Sequence, residues 1–226
     1  MNQLFSLEEM YLLANSFSRS SIFGLPAKSV LLVRDSSNME FAYQALKNKG
    51  ILNEQGEVTH AGAYAIRALE EYTRSEKYVQ IQQVIFAFPK DTSELVFIVK
   101  IGKEEGYQLH RMSKVLVPQL LIKKLDLINR EAMEDEELFL LKRQRIEQRQ
   151  KLDNSLTQEN LIDLRIFGVS NTLEHWIIFD VDEMLFTINT QTKEYYRASQ
   201  YWLMKILFDT LEIPYKKEGV DRLAAR

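Results

Sequence analysis

The chain has 226 residues, of which 46% are hydrophobic and 27% are charged, as in a globular protein with a sizeable core. Its formal net charge of −3 argues against a nucleic-acid-binding surface, which is normally basic. The chain has no cysteine, which excludes disulfides, thiol chemistry and thiolate metal sites and is compatible with a cytosolic protein.

The beginning of the chain gives no targeting signal. Residues 1–9 lack the basic and apolar regions of a signal peptide. No stretch approaches the ~18 uncharged apolar residues of a membrane helix. We therefore expect a cytoplasmic protein with no membrane insertion.

Three amphipathic helices are predicted before residue 78. Ser6 begins a capping box, in which a Ser hydroxyl and a Glu carboxylate three residues later each accept from the other residue's amide. Ser37 begins a second capping box, and its helix ends near Gly50, which suits the left-handed position after a helix. Thr59 is placed to cap the third helix.

The hydrophobic pattern changes to that of strands at residue 78. Residues 78–88 and 95–101 are rich in β-branched and aromatic side chains, and turn residues separate them. A further turn leads into a strand at 107–110. These segments predict an antiparallel meander, which is followed by a helix with Pro118 in its first turn.

A strongly charged segment follows over residues 129–151. Its acidic residues come early and its basic residues late, an order that complements the dipole of a helix. Leu138, Leu141 and Ile146 give it a thin apolar face. The pattern favours a long, partly solvated helix, with a mobile charged linker as the alternative.

The second half of the chain shows a similar order of elements. Thr157 is placed to cap a helix that carries Leu161, Ile162 and Leu164 and ends at Gly168. Strands are predicted at 176–181 and 184–189 around a tight Asp-Glu turn. A third strand at 194–197 precedes an apolar helix that ends before Pro214.

The two halves align at one constant offset. Residues 94–99 match 183–188, and Ile-Phe-Gly follows a predicted helix start at both 22–24 and 166–168. This alignment predicts an internal repeat, with chance similarity of two hairpin–helix units as the alternative. We therefore expect an α+β fold of antiparallel β-meanders with flanking helices, in a quasi-two-fold repeat of a helix–meander–helix unit.

The repeat also sets the expected domain organisation. Residues 1–226 are predicted to form a single domain built of two similar halves, 1–128 and 152–215. The charged helix 129–151 is expected to join them.

No catalytic motif stands out in the sequence. His60, His110 and His175 lie in separate predicted elements, without the spacing of a zinc site. Nucleotide-binding glycine motifs and the Gly-x-Ser-x-Gly nucleophile motif are absent. Asp180 and Asp182 share a strand face and are conceivable Mg²⁺ ligands, but a turn explains them better. We expect no enzyme activity, no metal and no cofactor.

An alternative function is a winged-helix-like transcriptional regulator with a ligand-sensing C-terminal half. The segment at 39–47, which would read DNA, is mostly apolar and has one acid and one base. Phosphate contacts supply much of the affinity of DNA-binding proteins, so this segment does not favour the alternative. A small-molecule hydrolase is a weaker third reading.

Short motifs along the chain carry a resemblance to a known family. They are the opening helix at 7–13, Gly-Leu-Pro at 24–26, the Ala- and Leu-bearing helix at 42–52, Ala-Leu at 68–69, and the meander and helix at 84–128. In this order they resemble the EspG-like secretion-associated chaperones of type VII (ESX) systems, or a firmicute counterpart of them. The charged segment 129–151 is unusual for that family.

The resemblance implies cytosolic binding of a helical secreted substrate, which stays soluble and export-competent. In that family the partner docks near the meander loops and the C-terminal helices. The resemblance therefore points to six partner-binding residues: Phe88, Pro89, Lys90, Tyr201, Trp202 and Phe208. A partner that exposes apolar residues aggregates unless they are covered, which gives such binding a physical purpose.

Overall fold

The computed structural model describes residues 3–33, 37–90, 92–102, 106–134, 136–138, 140–144, 152, 161–168 and 171–215. The chain divides into two compact units. The first unit comprises Met1–Met112 and Ile166–Leu173, and the second comprises Ser113–Arg165 and Glu174–Arg226. Compared with the predicted halves, the helix that follows the first meander belongs to the second unit.

The described residues contain six α-helices and ten strands. The helices are α1 (Leu7–Asn15), α2 (Ser29–Val33), α3 (Ser37–Asn48), α4 (His60–Thr73), α5 (Val117–Lys124) and α6 (Gln200–Thr210). The strands are β1 (Leu4–Phe5), β2 (Tyr78–Ile81), β3 (Val84–Ala87), β4 (Glu94–Ile101), β5 (Gly106–Ser113), β6 (Leu141–Arg143), β7 (Leu161–Phe167), β8 (Thr172–Val181), β9 (Met184–Asn189) and β10 (Glu194–Ala198). The predicted α+β class and antiparallel meanders are confirmed.

Local capping signals fix the helices of the first unit. The capping box of α1 is present: Ser6 Oγ accepts from the Glu9 amide at 3.2 Å, and Glu9 Oε2 accepts from the Ser6 amide at 2.6 Å. The Thr59 hydroxyl accepts from the Gly62 amide and caps α4. Gly50 adopts a φ of +68° after α3, as predicted. Helix α2 and strand β1 were not predicted from the sequence.

The strands of the first unit run in the order β1-β5-β4-β3-β2. Residues 78–88, expected as one strand, form instead a tight hairpin of β2 and β3. The chain reverses at Gln82, which has a φ of +54°. Two adjacent polar residues, Gln82 and Gln83, form this turn. The turn was not predicted because the residues around it are typical of a continuous strand.

Helices α1 and α4 pack with the strands around one apolar core. Phe5, Met10, Tyr11 and Leu69 are fully buried in it. The buried phenols keep their hydrogen bonds, as in Tyr78, which donates to the backbone oxygen of Tyr72 at 2.9 Å. Burial raises the pKa of Tyr78 to about 12, so this donor stays neutral.

In the second unit the strands run in the order β7-β8-β9-β10-β6. Asp182 and Glu183 have φ of +50° and +63°, and they form the predicted tight turn between β8 and β9. β10 pairs with β9, and the Ser199 hydroxyl caps α6. Alternation along β10 places Tyr195 with the cluster around Phe179, whereas Tyr196 contacts Trp176 on the other face.

Two predicted helices of this region are wrong. Residues 161–167 form β7, with Ile162, Leu164 and Ile166 buried in strict alternation. The expected charged helix 129–151 is replaced at Leu141–Arg143 by β6, which pairs with β10. The backbone of residues 141–143 is paired with β10 at the edge of the sheet. Strand pairing therefore replaces the helix that the thin apolar face had suggested. Residues 145–151 and Thr157 lie outside the described residues.

The predicted repeat is matched in one detail and contradicted in another. Each unit pairs two phenylalanines across a hairpin, Phe86 with Phe97 and Phe179 with Phe186. However, the Ile-Phe-Gly motif ends strand β7 in one place and lies in a turn after α1 in the other. The quasi-two-fold repeat therefore stays a prediction. Among the described residues, no helix is long and apolar enough to span a bilayer.

Candidate partner-binding sites

The first predicted site lies in the loop between β3 and β4 of the first unit. The backbone amide of Phe88 donates to Ser75 Oγ at 2.9 Å, and Lys77 Nζ lies 4.4 Å from the centroid of the Phe88 ring. The ammonium of Lys90 pairs with Glu76 at 2.9 Å and lowers the pKa of that carboxyl through their hydrogen bond. The Lys90 side chain is 76% exposed, so water and salt screen this pair.

This loop forms one wall of a concave surface that we call the basic pocket. Its volume is about 440 Å³, within the ~300–1,000 Å³ range typical of ligand sites. The residues that line it are Arg19, Glu71, Arg74, Pro89, Lys90 and Thr92. Of the four charged residues that line it among those the structure describes, three are cations, in a protein whose net charge is negative.

The cations of the basic pocket differ in how they are paired. Arg74 pairs with Glu70 one helical turn earlier, and its side chain is 68% exposed. Glu71 is compensated by Arg111, whose guanidinium lies 2.9 Å away and also pairs with Glu94 at 2.6 Å. Burial lowers the pKa of Arg111, but hydrogen bonds and attraction from these two acids raise it overall.

Arg19 stands apart from the other cations of the pocket. Arg19 lies just past α1, and its backbone amide donates to the carbonyl of Ala14. The charge of its guanidinium acts to lower the pKa of Tyr78, against the larger effect of burial. Within the described part of the chain, the Arg19 side chain has no ion pair or hydrogen bond. The pocket therefore contains one exposed cation whose charge no described acid neutralises.

The second predicted site is on α6 in the second unit. Tyr201, in the first turn of α6, is 46% exposed. It lines a cavity of about 220 Å³, here called the α6 pocket, together with Ala132, Glu136, Glu137, Leu138, Ser199, Gln200 and Met204. Leu138 is 64% exposed, so this pocket presents apolar surface to solvent.

One wall of the α6 pocket is held by a buried ion pair. Glu136 pairs with Arg130 at 2.6 Å, and a Glu136 carboxylate oxygen also accepts from the Gln200 amide at the start of α6. Burial raises the pKa of Glu136, but the hydrogen bonds from Arg130 and Gln200 outweigh it and lower the pKa overall. Arg130 donates in addition to the Glu183 carbonyl at 2.6 Å.

Trp202 and Phe208 do not line the α6 pocket. Trp202 is partly buried, and its ring meets Trp176 edge-on with centroids 5.7 Å apart. Phe208 meets Tyr215 in the same way at 6.0 Å. Both rings pack with aromatic neighbours and keep part of their surface exposed, so only Tyr201 of the three faces this pocket.

The histidines occupy separate environments. His110 stacks on Phe97 at 5.1 Å, and burial lowers its pKa. His175 lies 3.0 Å from Asp163, which also binds Arg165. Over the residues that the structure describes, there is no group of three or more His, Asp or Glu that could hold a metal ion.

The exposed face of α3 bears on the DNA-binding alternative. Glu40, Phe41 and Gln44 are exposed there, and Phe41 is 70% exposed. Lys47 donates to the carbonyl of Glu54. An exposed acid and an aromatic ring without a free cation do not suit contact with phosphates.

Several residues of both pockets were not predicted from the sequence. Arg19 and Arg74 follow the ends of α1 and α4, and no local pattern connects them to residues 88–90. Leu138 was expected on the apolar face of a helix and is instead exposed beside α6. The charged residues around Leu138 in the sequence were a signal that this side chain could be exposed.

The chain belongs to the DUF5081 family, a domain of unknown function, and the match covers residues 1–219. No curated protein matches the chain.

Proposed function

We propose that this protein is a non-enzymatic cytoplasmic chaperone or adaptor. It binds a helical secreted substrate of a type VII secretion system and keeps that substrate soluble and export-competent. The observation that carries the proposal is the α6 pocket, where the exposed Tyr201 and Leu138 side chains frame an apolar cavity. The resemblance to EspG-like chaperones supplies the class of partner.

Apolar side chains that are exposed on the rim of the α6 pocket favour binding of a partner. Tyr201 and Leu138 gain free energy when a partner removes them from water, at about 25 cal/mol per Å² of apolar area. Tyrosine is enriched among the residues that dominate binding energy, since it offers a large rigid surface and a polar tip. A helix that inserts one apolar side chain into a cavity of about 220 Å³ fits this geometry.

The wall of the α6 pocket suits binding without chemistry. Glu136 is already engaged by Arg130 and Gln200, so it is held as a structural carboxylate and not presented as a base. The exposed residues that line the pocket with it are Ala132, Glu137, Leu138 and Tyr201, of which three are apolar or aromatic. This lining supports recognition of a protein surface.

Co-expression with the proteins encoded beside this one tests the proposal. We expect a small helical secreted protein to co-purify and to co-elute on gel filtration as a complex of defined stoichiometry. If no neighbour co-elutes, the chaperone function is wrong. Salt-dependent DNA binding at physiological ionic strength would support the winged-helix alternative in its place.

A matched pair of variants tests the α6 pocket within that complex. Tyr201→Ala should weaken binding by about tenfold or more, as expected for an aromatic anchor. Tyr64→Ala is the control, because Tyr64 is on α4 in the first unit and is also 46% exposed. Equal effects of the two substitutions would assign the partner to another surface.

A further inference from the structure

The basic pocket of the first unit contains a positive charge that no acid among the described residues neutralises, in a protein whose net charge is negative. Arg19 lines the cavity with no described acid as its partner, and Lys90 and Arg74 stand on the same cavity. Lys90 forms an exposed ion pair with Glu76, and Arg74 forms one with Glu70; such exposed pairs contribute little to stability. An incoming segment with several carboxylates can therefore engage these cations at small cost.

We propose that the basic pocket binds an acidic segment of the polypeptide partner, with Arg19 as its central contact. This inference rests on the proposed function and adds the chemistry of the partner. The segment places a carboxylate against the Arg19 guanidinium, and neighbouring acidic residues exchange with Glu70 and Glu76 for Arg74 and Lys90. A guanidinium is suited to this role because its planar donors match a carboxylate in two parallel hydrogen bonds.

Two properties of the pocket favour a carboxylate on a polypeptide over a small inorganic anion. The cavity of about 440 Å³ has room for several side chains, and a lone phosphate leaves most of it filled with water. Pro89 on the wall offers apolar contact, which a chain with methylene groups can use and an inorganic ion cannot.

The charge of the pocket also limits what enters. Glu71 is one of its lining residues, held by Arg111. This carboxylate repels the charge that phosphate concentrates at one point more strongly than the single charge of one carboxylate, because the other charges of an acidic segment are spread along its chain. Like-charge contact is a common means of rejecting the wrong ligand.

Binding of a short Glu-rich peptide to the full chain tests the inference directly. The comparison peptide has Gln at every Glu position, and free glutarate and inorganic phosphate are the small-anion probes. We expect the Glu-rich peptide to bind, to weaken as salt is raised, and to bind more tightly than the small anions. Failure of the Glu-rich peptide to bind, or equal binding of the Gln peptide, overturns the proposal. Equal affinity for phosphate assigns the pocket to a small anion and overturns it as well.

Charge-reversed variants locate the binding. Arg19→Glu should raise the dissociation constant of the Glu-rich peptide about tenfold or more, because it places a repelling charge at the contact. Lys123→Glu makes the same charge change at an exposed lysine of α5 in the second unit and should change the constant less than about twofold. Lys90→Glu, at a side chain that is 76% exposed, is a second test if Arg19→Glu fails to fold. Equal effects of the Arg19 and Lys123 variants overturn the assignment.

The same variants separate this inference from the proposed function. If Arg19→Glu and Lys90→Glu leave the co-purified complex intact, the chaperone function holds and the role of the basic pocket is wrong. If no partner co-purifies but the Glu-rich peptide still requires Arg19, the pocket assignment holds and the chaperone function is wrong.

Discussion

Arg130 and Glu136 form a buried ion pair at 2.6 Å, and their side chains are only 9% and 3% exposed. The pair connects three parts of the second unit. Arg130 donates to the Glu183 carbonyl in the β8–β9 turn, and Glu136 accepts from the Gln200 amide at the start of α6. It thus holds an irregular segment of the chain against one side of the α6 pocket.

Removing one member of this pair should be costly. Arg130→Met leaves the Glu136 carboxylate buried without its cation, and we expect a loss of about 3–5 kcal/mol in the free energy of unfolding. Arg143→Met, which breaks a pair whose arginine is 63% exposed, is the control and should change stability by less than about 0.5 kcal/mol. Urea unfolding of both variants gives the comparison.

The double substitution Arg130→Met with Glu136→Leu sharpens that test. Because it removes both charges together, it should destabilise the fold less than the sum of the single substitutions. Additive effects would show that the two side chains act independently, which contradicts the pair as the source of stability.

The pKa of His110 predicts how stability changes with pH. Burial against Phe97 lowers this pKa in the folded state, so the unfolded chain binds the proton more readily. The contribution of His110 is therefore complete above its unfolded pKa of about 6.5 and is lost as pH falls through that value toward the folded pKa. His110→Phe, which keeps an aromatic ring, should lose less stability than the wild type between about pH 7.5 and pH 5.5.

Chemical unfolding of the two proteins across that range measures the difference. His60→Phe serves as the control, since His60 begins α4 and is exposed. An identical pH profile for wild type and His110→Phe would show that this ring titrates alike in both states. That result would contradict the burial of His110 against Phe97.

Signals that act within a few residues were predicted well from the sequence. The Ser6 capping box, the Thr59 cap and the turn at Asp182 each depend on neighbours along the chain, and each is present. The strand β7 was misread because the apolar positions 161, 162 and 164 suit a helix as well as a strand. Its alternating burial comes from strand packing, which no local rule in that segment specifies.

The candidate sites divide in the same way. Phe88, Pro89 and Lys90 were expected in a loop and are found in one, because Pro89 and its polar neighbours are local turn signals. Arg19 and Arg74, the cations that line the basic pocket with that loop, follow the ends of α1 and α4. Only the tertiary fold brings them to one cavity.

Gly62 in the first turn of α4 should not tolerate a methyl group. A Cβ atom there would lie 2.2 Å from the backbone oxygen of Ile51, so either α4 or the backbone at Ile51 must shift. We expect Gly62→Ala to lose about 1–3 kcal/mol by overpacking, although alanine is the better helix former by about 1 kcal/mol. Gly102→Ala is the control, since none of the described residues beyond its chain neighbours lies within 4 Å of its Cβ position.

Thermal unfolding distinguishes these two glycines. A lower midpoint for Gly62→Ala alone supports the close approach of α4 to residue 51. A higher midpoint would mean that helix propensity outweighs the contact, which contradicts the packing of this turn.

Thr187 on β9 predicts a substitution that should stabilise the protein. Its side chain is fully buried, and its hydroxyl has no hydrogen-bond partner among the described residues. A buried hydroxyl without a partner costs free energy, so Thr187→Val, which keeps the shape and replaces the oxygen by a methyl group, should raise the free energy of unfolding by about 1 kcal/mol. Thr73→Val is the matched control: the Thr73 hydroxyl donates to the Glu70 carbonyl at 2.9 Å, so its loss should destabilise the fold by about 1 kcal/mol. Opposite signs in urea unfolding are expected, and a loss of stability in Thr187→Val would mean that the hydroxyl makes a hydrogen bond in the folded protein.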